Sequence, residues 1–212
     1  MKKNKTILLL LNRLIFKPYW LLSLCVLIVS ACSDKDDPKD ISPPAMILPV
    51  ADANDFLYIG RVYSSTTNSP IGAIHRGLDF VPDGDLKEFQ TVFDGVVTRI
   101  ELFENTGSGT WQVNVHINYN DAYGVEYAFE PFSTNQTDGQ AQLNNILVEN
   151  GQHVIAGQII GRLYAPISNA HVHFSFFQDD QMACPENYWT EDARNAIMEL
   201  IHAYNPDWNM CY

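Results

Sequence analysis

His171-Val172-His173 sets two imidazoles two residues apart. In a strand, side chains at this spacing point to one face, about 6.5–7 Å apart along the chain. Two such rings can share a metal ion, or one can bind it while the other handles protons beside it. Alone the pattern also arises on any solvated strand face. His75-Arg76-Gly77-Leu78-Asp79 is the second candidate. A fully extended chain would hold His75 and Asp79 about 13 Å apart, too far for one ion, but Gly77 lets the backbone bend between them. An imidazole and a carboxylate suit zinc, and one further imidazole gives a three-ligand site with a position open to water. His and Asp are also ordinary turn residues, so this segment too is weak by itself.

The elements that must hold these residues are mostly strands. Residues 89–93 and 95–100 are short and β-branched, divided by Asp94-Gly95. From Trp111 to Tyr119 the chain alternates, with Trp111, Val113, Val115, Ile117 and Tyr119 on one face and Gln112, Asn114, His116 and Asn118 on the other. That pattern predicts a strand with one buried side, and residues 125–129 return as its partner after a turn at 121–124. Residues 131–145 are rich in Asn, Gln, Ser and Thr and read as an exposed loop. The glycines of residues 149–161 punctuate short apolar pairs, as in a tight β-meander. A helix is expected only at the end. There Thr190 caps it, Glu191 and Asp192 complement the dipole, and Ala193, Ala196, Ile197, Leu200, Ile201 and Tyr204 form the apolar stripe before Pro206. The fold class predicted is mainly β, a compact antiparallel sheet or sandwich domain with a C-terminal helix. The remaining histidines are expected off the centre: His116 on a polar strand face, His153 in a turn, His202 at a helix end.

Composition narrows the function. A hydrophobic fraction of 46% can fill a core, and a formal net charge of −12 repels phosphate backbones, which argues against nucleic acid as a partner. Lys2, Lys3, Lys5, Arg13 and Lys17 all lie in the leader, so the remainder is more acidic still. The leader joins a basic start to an apolar run too short to span a bilayer. Val29-Ser30-Ala31-Cys32 resembles a bacterial lipobox, in which Cys32 is acylated and becomes the N-terminus; an uncleaved anchor helix is the other reading. The expected organisation is a lipoprotein signal peptide over 1–31, an acidic, Pro-rich tether over 32–46 and one domain over 47–212. The expected location is the bacterial cell envelope, lipid-anchored at the outer membrane, on its periplasmic or surface face. Cys184 and Cys211 are expected to form a disulfide in an oxidising compartment. A biotinyl or lipoyl carrier domain would need an attachment lysine at a hairpin tip, and no lysine follows Lys87.

In order, the chain shows His75-x-Gly77-x-Asp79, then Asp94-Gly95-Val96-Val97. Gly151-Gln152-x-Val154-x-x-Gly157-Gln158-x-Ile160-Gly161 follows, and His171-x-His173-Phe174 closes the series. This succession, over residues 56–177, resembles the lysostaphin/LytM family of zinc metallopeptidases. The resemblance implies an antiparallel β-domain with zinc in a groove, acting on peptide bonds of cell-wall cross-links or glycine-rich peptides. It implies His75, Asp79 and His173 as the zinc ligands and His171 as the catalytic histidine. Cell-wall peptide, or another peptide, becomes the expected substrate, and zinc (Zn2+) the cofactor. The chain departs from the family at Tyr127-Ala128-Phe129-Glu130, where Phe129 stands in place of the second catalytic histidine of a Tyr-Ala-His segment. Two classes follow: an endopeptidase working through His171, or a catalytically impaired cell-wall-binding or regulatory module. On this reading, restoring histidine at position 129 is expected to raise activity.

Overall fold

The structure, a computed structural model, describes residues 41–212. The signal peptide, Cys32 and most of the tether lie outside the described residues. The strands are β1 (Phe56–Ile59), β2 (Leu78–Pro82), β3 (Lys87–Gln90), β4 (Gly95–Asn105), β5 (Thr110–Asn118), β6 (Tyr123–Glu130), β7 (His153–Val154), β8 (Ile159–Leu163), β9 (His171–Gln178) and β10 (Gln181–Ala183). Two helices accompany them, α1 (Gln136–Leu143) and α2 (Glu191–Tyr204). The main sheet runs β1-β2-β9-β6-β5-β4-β7, with β10 pairing β9, and β3 pairs β8 in a second, two-stranded sheet. Each strand pairing is antiparallel, both between consecutive strands and between the distant pairs β2–β9, β3–β8, β4–β7 and β6–β9.

Period-two alternation divides the main sheet into two faces. One carries Val113, Val115, Ile117, Val125, Tyr127, Phe129, Val172, Phe174 and Phe176, all buried in the core. The small sheet closes over this face. Phe89 of β3 meets the Phe129 ring at 5.5 Å between centroids, and Ile160 and Leu163 of β8 join the same cluster. Burying such side chains stabilises by about 1.5–3 kcal/mol each. The other face is polar and carries the groove. Across it the register aligns Asn114, Ala128, His173 and Asp79 in one row, and Glu130 with His171 in the next. Sequence alternation predicted one solvated side for β5, yet Gln112 and Asn114 are buried; the Gln112 amide donates to Asn114 Oδ1 at 2.9 Å.

Three further expectations need correction. The loop over 131–145 contains α1. Asn135 caps it through its side chain, and its packing face is not apolar: Gln142 is fully buried, donating to Arg162 O and accepting from Tyr164 N. Gly139 lets α1 sit on β5, since a Cβ there would lie 2.7 Å from Trp111 Cβ. The strands on either side of Asp94-Gly95 are not a hairpin, because β3 belongs to the small sheet and β4 to the large one. The glycine-punctuated segment likewise diverges, β7 to β4 and β8 to β3, rather than forming a meander.

The C-terminal helix is as read except at Tyr204, which is exposed and lines a groove instead of joining the buried stripe. Thr190 Oγ1 accepts from Ala193 N at 3.3 Å, and Ala193, Ile197, Leu200 and Ile201 are buried. Cys184 and Cys211 are bridged across a sequence separation of 27. Closing a loop of that size stabilises by about 3.5 kcal/mol, through lost unfolded-state entropy on the chain-entropy account. The bridge also holds the tail, where Tyr63 N donates to Met210 O and Tyr212 N to Tyr63 O.

Candidate metal centre

His75 lies just before β2, tied by paired backbone hydrogen bonds to Ser64. Its Nδ1 is 3.0 Å from Val62 O. A carbonyl can only accept, so Nδ1 carries the proton and Nε2 is turned toward the groove. Nε2 stands 3.1 Å from Asp79 Oδ1, and His173 Nδ1 approaches the same oxygen at 2.8 Å. The two imidazoles meet edge to face, 4.7 Å between centroids. One donor atom from each of His75, Asp79 and His173 lies within 4.8 Å of the others. Donors around a tetrahedral zinc stand about 3.4 Å apart, so this set fits the ion.

Gly77 contributes differently from the bend expected of it. A Cβ at this position would lie 2.4 Å from Phe174 O and 2.6 Å from His173 Nε2. Only a residue without a side chain leaves room for the His173 ring and the Phe174 carbonyl so close to the chain entering β2.

Burial alone would push the Asp79 carboxyl up. The hydrogen bonds from His173 and His75 outweigh it and hold the group far below the ordinary carboxylate range. Burial lowers His75, but its hydrogen bond to Asp79 wins and the group is raised. An anionic carboxylate facing two ring nitrogens is the charge pattern that a divalent cation satisfies.

His171 stands beside these three. Its Nδ1 donates to Asn169 O at 2.9 Å, which leaves Nε2 facing Asp79 Oδ2 at 3.9 Å and Glu130 Oε2 at 3.7 Å. Burial raises the Glu130 carboxyl above its ordinary value against the pull of His171. All five side chains line one groove of about 540 Å³, whose walls include Tyr58, Arg61, Tyr204 and Phe132.

Phe129 does not face this groove. It is fully buried on the core side of β6, and the residue of β6 opposite His171 is Glu130. Tyr127 is no substitute for a missing histidine either, being fully buried with its hydroxyl donating to Gln90 O at 2.9 Å. His116 lies away from the centre and pairs with Glu126, while Arg99 contacts both. Cys184, Glu186 and Cys211 also cluster, but the two sulfurs are bonded to each other and are no metal ligands.

The Glu126 pair carries a pH prediction. Burial raises this carboxyl, but the His116 hydrogen bond overcomes it and the value falls below the ordinary 4.5. A carboxyl depressed by folding contributes stability above its unfolded value and loses it as pH falls through the folded one. Thermal melts between about pH 6 and pH 3 should therefore show a shallower acid decline for Glu126→Gln than for wild type. Parallel declines would show that Glu126 carries none of it.

No protein-family model matches the chain, and no curated protein matches it. Solved structures do. A chain of the SpoIIQ–SpoIIIAH pore-forming complex is 20% identical, with 71% of this chain and 94% of that one covered at a TM-score of 0.51. Helicobacter pylori Csd3 is 20% identical, covering 70% of this chain and 35% of that one, also at 0.51. A zinc-containing peptidase from Vibrio cholerae reaches 22% identity over 66% of this chain, at a TM-score of 0.48, and this chain spans 39% of its length. At such identities the likeness concerns the fold alone. This chain shares its fold with that SpoIIQ–SpoIIIAH chain and with Csd3, and its mainly antiparallel β class with a C-terminal helix is the one the sequence predicts.

Proposed function

We propose that the protein is a zinc-dependent, peptidase-like lipoprotein of the bacterial envelope that acts on or binds the peptide cross-links of peptidoglycan. The observation that carries this reading is the convergence of His75, Asp79 and His173 in a groove, with His171 beside them. His75, Asp79 and His173 would hold the ion, which supplies Lewis acidity toward a peptide carbonyl and toward water. His171 accepts a proton at Nε2 and returns it to the leaving amine, its ring held by the Asn169 carbonyl. Glu130 faces that nitrogen and stabilises the imidazolium once it forms. Acylation at Cys32 would keep the domain within reach of the wall, with a tether shorter than the 32–46 expected from sequence, since Met46 is buried in the core and bonded to Tyr188 and Thr190.

The second reading is a binding or regulatory module that keeps the fold and the metal but cleaves poorly. Glu130 favours it, because the side chain that β6 sets opposite His171 is a carboxylate and not an imidazole. Zinc quantitation combined with digestion of cross-linked muropeptides separates the two. Zinc-dependent cleavage that falls about 10²–10⁴-fold in His171→Ala, with zinc content unchanged, supports the enzyme. Zinc uptake without cleavage leaves the binding module. A protein that takes up no zinc overturns both.

A further inference from the structure

The groove contains one cation that the metal centre does not use. Among the described residues every other lysine or arginine has a side-chain partner. Arg76 donates to the Tyr63 hydroxyl, Arg99 pairs with Glu101 and Glu126, Arg162 with Glu88, Arg194 with Glu186 and Lys87 with Asp55. Arg61 is exposed, lines the groove and bonds to no side chain. In a chain of formal net charge −12, where carboxylates are plentiful, a guanidinium left free at this place needs an explanation.

Its position is fixed by backbone rather than by side chain. Asp79 N donates to Arg61 O at 3.0 Å, and Gly60 N donates to Asp79 O at 2.9 Å. Arg61 therefore follows β1 directly beside the acidic residue of the metal centre, and its charge works against a cation on His75. That is a cost to the centre with no bond in the fold to offset it. Tyr58 and Tyr204 wall this side, 5.0 Å between ring centroids. The sheet order β1-β2-β9-β6 then sets the sequence across the groove: Arg61, Asp79, the two histidines of β9, and Glu130. One edge is cationic and aromatic, the other anionic.

We propose that Arg61 seats a carboxylate of the peptide bound in the groove and so fixes the direction in which that peptide lies. This rests on the peptide-binding reading above. A planar guanidinium takes a carboxylate through two parallel hydrogen bonds, a geometry that a lysine ammonium does not reproduce. The acidic surface cannot draw such a ligand in from a distance, so its capture is local. Glu130 repels the same group from the opposite edge, which excludes the reversed orientation.

The test is isothermal titration of the full-length, zinc-loaded protein with an acetylated stem peptide ending in D-alanine. Its side-chain carboxyls are amidated, and it is prepared both as the free acid and as the C-terminal amide. Wild type is expected to bind the acid about tenfold more tightly than the amide, the worth of one charge-assisted contact. Arg61→Gln should abolish that ratio while leaving the amide's affinity, the zinc content and the melting temperature unchanged. Arg61→Lys should restore part of it. Equal binding of acid and amide by wild type, binding of neither, or a preference that survives Arg61→Gln overturns the proposal, as does loss of zinc in that variant. The comparison can be run on metal-free protein too. Failure to load zinc therefore sinks the functional reading separately, and loss of discrimination in a zinc-loaded protein sinks only the role of Arg61.

Discussion

Replacing Asp79 by alanine is expected to cost the protein its zinc, with affinity falling at least a hundredfold in a competitive chelator titration. Loss of a group that merely orients a ligand already costs about 10–100-fold, and Asp79 would itself supply one of the three donors. Its Oδ1 is the single atom approached by His75 Nε2 and His173 Nδ1, so its removal takes away one donor and releases the other two. Asp79→Asn separates the contributions. It keeps the shape and one acceptor but drops the charge, and should fall between wild type and alanine. His173→Ala should resemble Asp79→Ala, since it removes the ring that lies against Gly77. Wild-type affinity in Asp79→Ala would end the ligand assignment.

Phe129→His is expected to destabilise the fold by about 4 kcal/mol, in the range of large-to-small core changes, instead of restoring a catalytic group. The family pattern alone predicts the opposite, since it sets position 129 in the groove. The structure puts the side chain on the far face of β6, against Phe89 and within 3.0 Å of where a Cβ on Gly161 would stand. An imidazole there would fill less volume and bring polar nitrogens to a site with no partner for them. A fall of about 8–16 °C in melting temperature is the corresponding signal, with zinc binding by the folded fraction unchanged. A variant that melts like wild type and cleaves faster would show that the β6 register is wrong. The position to probe for proton handling is Glu130.

That reassignment was already present in the alternation of residues. Tyr127 and Phe129 share one face of a strand, and Glu126, Ala128 and Glu130 share the other. Since Ala128 pairs with His173, the groove side belongs to the even-numbered set. The clustering of His75, Asp79 and His173 was legible because each is a donor type in a known order of motifs, and α2 because its cap, acids and apolar stripe agree. What stayed hidden depends on neighbours that a linear reading does not supply. The burial of Gln142 is satisfied by Arg162 and Tyr164, twenty residues and more away, so α1 looks solvated in sequence. Phe89 and Ile160 look like parts of ordinary hairpins, yet they come together in a separate layer that covers the core.

The bridge between Cys184 and Cys211 reaches further than the stretch it encloses. Tyr212 lies against Tyr63 and Ser65, and the carbonyl of Val62, one residue before Tyr63, fixes the ring at position 75. Reduction of the bridge would thus act on the candidate metal centre without touching any of its three side chains, by releasing the tail that braces this run of backbone. Zinc titrations of protein reduced and then freed of thiol would report on a loosened molecule, and its affinity would understate that of the oxidised protein.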